Sequence, residues 1–110
     1  MPKYLTMVKY TTEALNGVRR DGYSRRPEAM REFGASVGVN FETILYLMPG
    51  GEWDFIAIME AASIDNLLAM GSFSGASGVI ERSCSYELFS PEQIDAAIAG
   101  STPQYSPPGN

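Results

Sequence analysis

The chain has 110 residues, eight of them Lys or Arg and 13 Asp or Glu, for a formal charge of −5, and 45% are hydrophobic. That length suits one domain, and the acidic balance speaks against a nucleic-acid partner. With no histidine and a single cysteine, Cys84, the sequence excludes an internal disulfide, a Cys–His dyad, a Ser-His-Asp triad, His-ligated haem and a typical zinc site.

Lys3 to Tyr10 is rich in aromatic and β-branched residues and predicts a strand. Thr11 or Thr12 caps a helix with Glu13 in its first turn, and the pattern breaks at Arg20-Asp21-Gly22. It restarts at Pro27, with Met30, Phe33 and Val37 on one face and Gly38 as a stop. Two strands follow, Val39 to Met48 and Trp53 to Glu60, joined across Pro49-Gly50-Gly51 as an antiparallel hairpin. Ser63 caps a helix carrying Ile64, Leu67, Leu68 and Gly71 on one face, which decays through Ser74 to Gly78. Val79 to Phe89 is a fourth strand, and Ser90-Pro91-Glu92-Gln93 starts a short final helix. Residues 1–100 therefore read as one domain and 101–110 as a Pro-rich, flexible tail. No apolar run approaches the roughly 18–20 residues that span a bilayer, and no secretion leader is evident, so a cytoplasmic address is expected.

The order is that of a ferredoxin-like βαββαβ unit with an added C-terminal helix, an α+β fold with both long helices on one face of the sheet. The strands do not alternate as a half-solvated sheet should. In the third, Phe55, Ala57 and Met59 oppose Ile56 and Ile58; in the second, Phe41, Leu45 and Leu47 oppose Ile44, Tyr46 and Met48. Both faces ask for burial, and pairing sheet to sheet in a homodimer is the economical answer.

Met1-Pro-Lys-Tyr-Leu-Thr-Met-Val-Lys-Tyr-Thr-Thr12, Gly17 and Gly51-Glu52-Trp53-Asp54-Phe55-Ile56-Ala57-Ile58 resemble the GYD-domain family, as do Gly78-Val79-Ile80-Glu81-Arg82 and Phe89-Ser90-Pro91-Glu92. The resemblance covers about residues 1–98. It implies a dimeric α+β barrel, a superfamily that includes cofactor-independent monooxygenases, lactone isomerases, small lyases and ligand-sensing domains. It implies no particular reaction. Trp53 stands where the family's name-giving Tyr is expected, Pro49-Gly50 looks like an addition to the hairpin, and Ser72 to Ser77 is unusually rich in small residues.

With no histidine, any acid–base chemistry must use Asp, Glu, Tyr, Lys or water. Asp54, beside an indole at the start of a strand, is the candidate general base; its competing role is to accept backbone N–H groups and fix the strand register. Tyr10 and Tyr46 are candidate phenols for orienting a carbonyl, or are simply core aromatics. Arg19, Arg20, Arg25 and Arg26 surround the helix break, and Arg25 is the candidate for a ligand anion, against a solvated face. Ser74 and Ser77 offer hydroxyls to a pocket or merely end the helix. Cys84 reads as an inert packing residue. The expected site is thus Asp54 for acid–base work, with Tyr10, Arg25, Tyr46, Trp53, Ser74 and Ser77 for binding, and no metal or cofactor. The expected function is to bind a small, partly apolar organic metabolite and to transform it by proton transfer (isomerisation, cyclisation or lyase chemistry). The alternative is a non-catalytic ligand-sensing or partner-binding module. No nucleic-acid or membrane partner is expected.

Overall fold

The computed structural model describes residues 1–109. Among these, four strands and four α-helices run in the order β1 (Lys3–Tyr10), α1 (Thr12–Asp21), α2 (Arg26–Ser36), β2 (Val39–Tyr46), β3 (Phe55–Ala61), α3 (Ile64–Gly75), β4 (Ile80–Leu88) and α4 (Pro91–Ala99). The strands form one antiparallel sheet in the spatial order β2-β3-β1-β4.

Local chemistry sets the helix ends. The Thr11 hydroxyl accepts the Ala14 N–H at the start of α1. Gly22, at φ 99°, takes the chain out of that helix into a single 3-10 turn, Tyr23–Arg25, which leads directly into α2. Ser63 accepts the Asp65 N–H while the Asn66 amide oxygen accepts the Ser63 N–H. Ser90 accepts the Gln93 N–H ahead of Pro91.

One face of the sheet meets α2 and α3. Tyr4, Thr6, Val8 and Tyr10 from β1 and Phe55, Ala57, Met59 and Ala61 from β3 are all buried there. The second strand departs from simple alternation. Phe41 pairs with Met59, but Thr43 pairs with Ile58, so Glu42 is an extra residue in a β-bulge. The bulge reverses the side-chain phase, and Phe41 shares the inner face with Ile44 and Tyr46, opposite Leu45. The sequence grouping of Phe41 with Leu45 and Leu47 is corrected accordingly.

The opposite face of the sheet is also apolar. Leu5, Met7, Ile56 and Ile58 are half-buried and belong to no part of the core, while Leu45 and Tyr86 stand 57% and 54% exposed. The C-terminal helix projects from the body. Every residue of α4 is exposed, including Ile94 and Ile98, and the molecule measures 57 × 34 × 23 Å. Residues 101–109 follow it without regular secondary structure and are exposed. Among the described residues, no helix is long and apolar enough to cross a membrane.

Candidate functional site

Between the inner face of the sheet and helices α2 and α3 lies a cavity of about 680 Å³. Its floor is the alternating series Tyr4, Thr6, Val8 and Tyr10 with Phe55, Ala57 and Met59. Ala29, Met30 and Phe33 of α2 wall one side, and Leu67, Met70 and Gly71 of α3 the other. The lining is mainly apolar, and its polar groups sit at separate positions. That combination is typical of small-molecule sites.

At one end stands Tyr10. Its hydroxyl lies 2.8 Å from that of Tyr46, which sits behind the cavity wall. The Tyr10 ring packs on Phe55 at 5.3 Å, and Tyr46 meets Tyr23 edge-on at 4.8 Å, so the phenol pair is held by aromatic neighbours on several sides. Burial raises both phenol pKa values; for Tyr46 the hydrogen bond to Tyr10 adds to the rise. Both hydroxyls therefore stay protonated at neutral pH and serve as hydrogen-bonding groups rather than bases. The nearby Arg26 charge opposes the rise at both rings. Arg26 itself lines the cavity, and its Nε is buried without a hydrogen-bond partner.

Along the cavity's flank, the β1–β4 register sets Thr6 opposite Ser85, and their hydroxyls lie 2.7 Å apart. Ser83 and Glu87 occupy the same face of β4. These groups follow from the alternation of β1 once β4 is paired to it. The pairing itself is a long-range fact that no local pattern supplies.

The expected site residues separate into three groups. Tyr10, Ser74 and Ser77 line the cavity, with Tyr46 bonded behind Tyr10. The two serine hydroxyls are engaged locally, Ser74 donating to the Gly71 carbonyl and Ser77 to the Ser74 carbonyl, as helix-ending groups. Arg25 does not line the cavity: it is exposed on the 3-10 turn, and that turn rotates the next residue, Arg26, inward instead. Asp54 and Trp53 lie off the cavity as well. Asp54 is 4% exposed and spends its carboxylate on the Tyr10 N–H at 2.8 Å and on the Lys9 ammonium at 3.5 Å.

A family model for the GYD domain matches residues 4–98. The chain belongs to the GYD-domain family. No curated protein matches its sequence. Among solved structures it is similar to the one titled "crystal structure of FFRP-DM1", at 14% identity and a TM-score of 0.53, over 81% of this chain and 100% of that one. That likeness speaks to the fold alone.

In this GYD domain the segment leading into β3 acts as a strap. The Asp54 N–H donates to the Val8 carbonyl at 2.8 Å, and the Leu47 N–H donates to the Asp54 carbonyl at 2.9 Å. The Asp54 carboxylate meets β1 where the β1–β4 register shifts, between Lys9 and Tyr10. Trp53 lies under the Arg82 guanidinium, 5.1 Å from ring centroid to Cζ, and Arg82 donates to the Glu52 carbonyl at 2.9 Å. These contacts tie the β2–β3 loop to β1 and β4 and fix the backbone of Tyr10 at the cavity's end.

Proposed function

We propose that this GYD domain is a homodimeric protein that binds a small, partly apolar organic molecule in the cavity between its sheet and helices. The observation that carries the reading is the cavity itself: about 680 Å³, walled by apolar side chains, with the Tyr10 hydroxyl and the Arg26 guanidinium at one end. Its size falls in the range that encloses metabolite- and drug-sized ligands, roughly 300–1,000 Å³. The chemistry of the lining favours holding a ligand over transforming it. The phenols remain protonated, and Asp54, the expected general base, is turned to backbone and Lys9 away from the cavity. A ligand-binding or sensing role therefore stands ahead of proton-transfer catalysis.

The dimer rests on the outer sheet face. Leu5, Met7, Ile56 and Ile58 form an apolar stripe that no element of the same chain joins to its core. Such a stripe is the material of an isologous interface.

Native mass spectrometry of gently purified protein tests both halves of the reading. The expected result is a dimer mass with a retained small molecule. Gly71→Leu, which fills the cavity from α3 at a position where a Cβ meets nothing within 4 Å, is expected to keep the dimer and lose the adduct. Ile56→Lys is expected to yield the monomer. A monomeric wild type refutes the dimer, and an adduct that survives Gly71→Leu refutes the cavity as its site.

A further inference from the structure

The cavity is polarised along its length. Arg26 is the sole cation among the described residues that line it, and Glu87 the sole acid. Arg26 sits at the Tyr10 end, close enough to perturb both phenols. Glu87 faces Tyr4 across the β1–β4 pair, six residues further along β1, or roughly 20 Å at strand rise. Among the described residues Arg26, like the other arginines, forms no ion pair, but it alone of them lines the cavity. Its Nε, buried from solvent, makes no hydrogen bond, and this permanently charged, acceptor-free group lines the cavity without an ion pair. On the protein side the Tyr10 hydroxyl lies close enough to interact with that charge, but no carboxylate of the described residues pairs with it. An acceptor-only group would complete the site, with the protonated Tyr10 hydroxyl beside it.

Resting on the cavity being the binding site, we infer that its ligand is an anionic amphiphile whose carboxylate-like head group is received by Arg26 with Tyr10, and whose apolar body lies along the sheet toward Glu87. The guanidinium fork suits a planar two-oxygen anion, and charge-assisted bonds of this kind are about twice as strong as neutral ones. Glu87, exposed on β4 at the far end, disfavours an anionic head group there. Phe33, Leu67 and Met70, half-buried along the cavity, present apolar surface to the body of the ligand.

Two fluorescent probes that differ by one charged group test this. 8-Anilinonaphthalene-1-sulfonate is anionic, and N-phenyl-1-naphthylamine is the same ring system without the sulfonate. Both are titrated into wild type, Arg26→Gln, Arg26→Lys and Gly71→Leu, with circular dichroism to verify the fold. The expected result is that the anionic probe binds wild type more tightly than the neutral one. Arg26→Gln should weaken the anionic probe about tenfold or more and leave the neutral probe within about twofold. Arg26→Lys, which keeps the charge but loses the fork, should fall between, so the test does not depend on one variant folding. Equal affinity for the two probes, or equal loss of both on Arg26→Gln, overturns the anion inference while the cavity reading stands. Failure of both probes to bind wild type, or binding that Gly71→Leu leaves intact, overturns the cavity reading and this inference with it.

Discussion

Replacing Gly34 with alanine sets two effects of opposite sign against each other. Gly34 lies within α2, where helix propensity alone favours alanine by about 0.5–1 kcal/mol. The packing opposes it. A Cβ at Gly34 would stand 2.7 Å from the Val39 carbonyl oxygen and 2.7 and 2.8 Å from Cδ2 and Cε2 of Phe41. Neither neighbour yields cheaply: one is backbone at the start of β2, and the other is a buried ring in the core. Helix α2 must back away from the strand, and overpacking of this sort costs about 1–3 kcal/mol. With three contacts below 3 Å the cost lies at the upper end of that range, about 2–3 kcal/mol, so the net effect is a loss of about 1–2.5 kcal/mol, which lowers the melting temperature by about 5–15 °C in a domain of this size. Gly71→Ala is the internal control, because its Cβ meets nothing within 4 Å and only propensity acts, raising stability by about 0.5–1 kcal/mol. Thermal and urea unfolding of the two variants, followed by far-ultraviolet circular dichroism, give the comparison. If Gly34→Ala melts at or above wild type, the close seating of α2 on β2 is refuted, and with it the position of the cavity's α2 wall.

Two further predictions follow from the site. Asp54→Ala strips the buried Tyr10 N–H of its acceptor and Lys9 of its partner, and is expected to cost about 1–3 kcal/mol. Asp54→Asn keeps an acceptor oxygen and should recover much of that loss, while neutral-probe affinity stays unchanged in both variants. Loss of probe binding in a folded Asp54 variant would return this residue to the site. The phenols supply the pH dependence. Burial keeps Tyr10 and Tyr46 protonated in the folded state above the range in which unfolded tyrosine ionises, about pH 10. The folded state then holds protons that the unfolded state releases, so this contribution to stability is intact below about pH 10 and is lost as pH rises beyond it. Absorbance titration should show the two phenols lagging behind the exposed Tyr105. A single step for all six tyrosines refutes the buried pair.

The elements were legible because their signals are local. Thr11, Ser63 and Ser90 act as caps where the sequence places them, Gly22 ends α1, and the faces of β1 and β3 follow strict alternation. The family was legible through the segments Met1–Thr12 and Gly51–Ile58, with Gly17, Gly78–Arg82 and Phe89–Glu92, and the family match over residues 4–98 agrees. Local pattern failed where a single residue of phase decided the outcome. The bulge at Glu42 turns Phe41 to the inner face, and the 3-10 turn before α2 directs Arg26, not Arg25, to the cavity. A two-residue period carries no information about an inserted residue, and adjacent arginines are indistinguishable until the helix they open is docked on a sheet. Asp54 shows the same limit, since its acceptor role exists only once β1 is brought beside the β2–β3 loop. The amino-acid sequence by itself determined which segments are strands and helices, which side chains are apolar and which chemistries are absent. Tertiary structure alone decided which polar groups meet across the cavity, because Thr6 and Ser85, and Tyr10 and Tyr46, lie far apart in the chain and become neighbours only when the strands pair and the helices close over them.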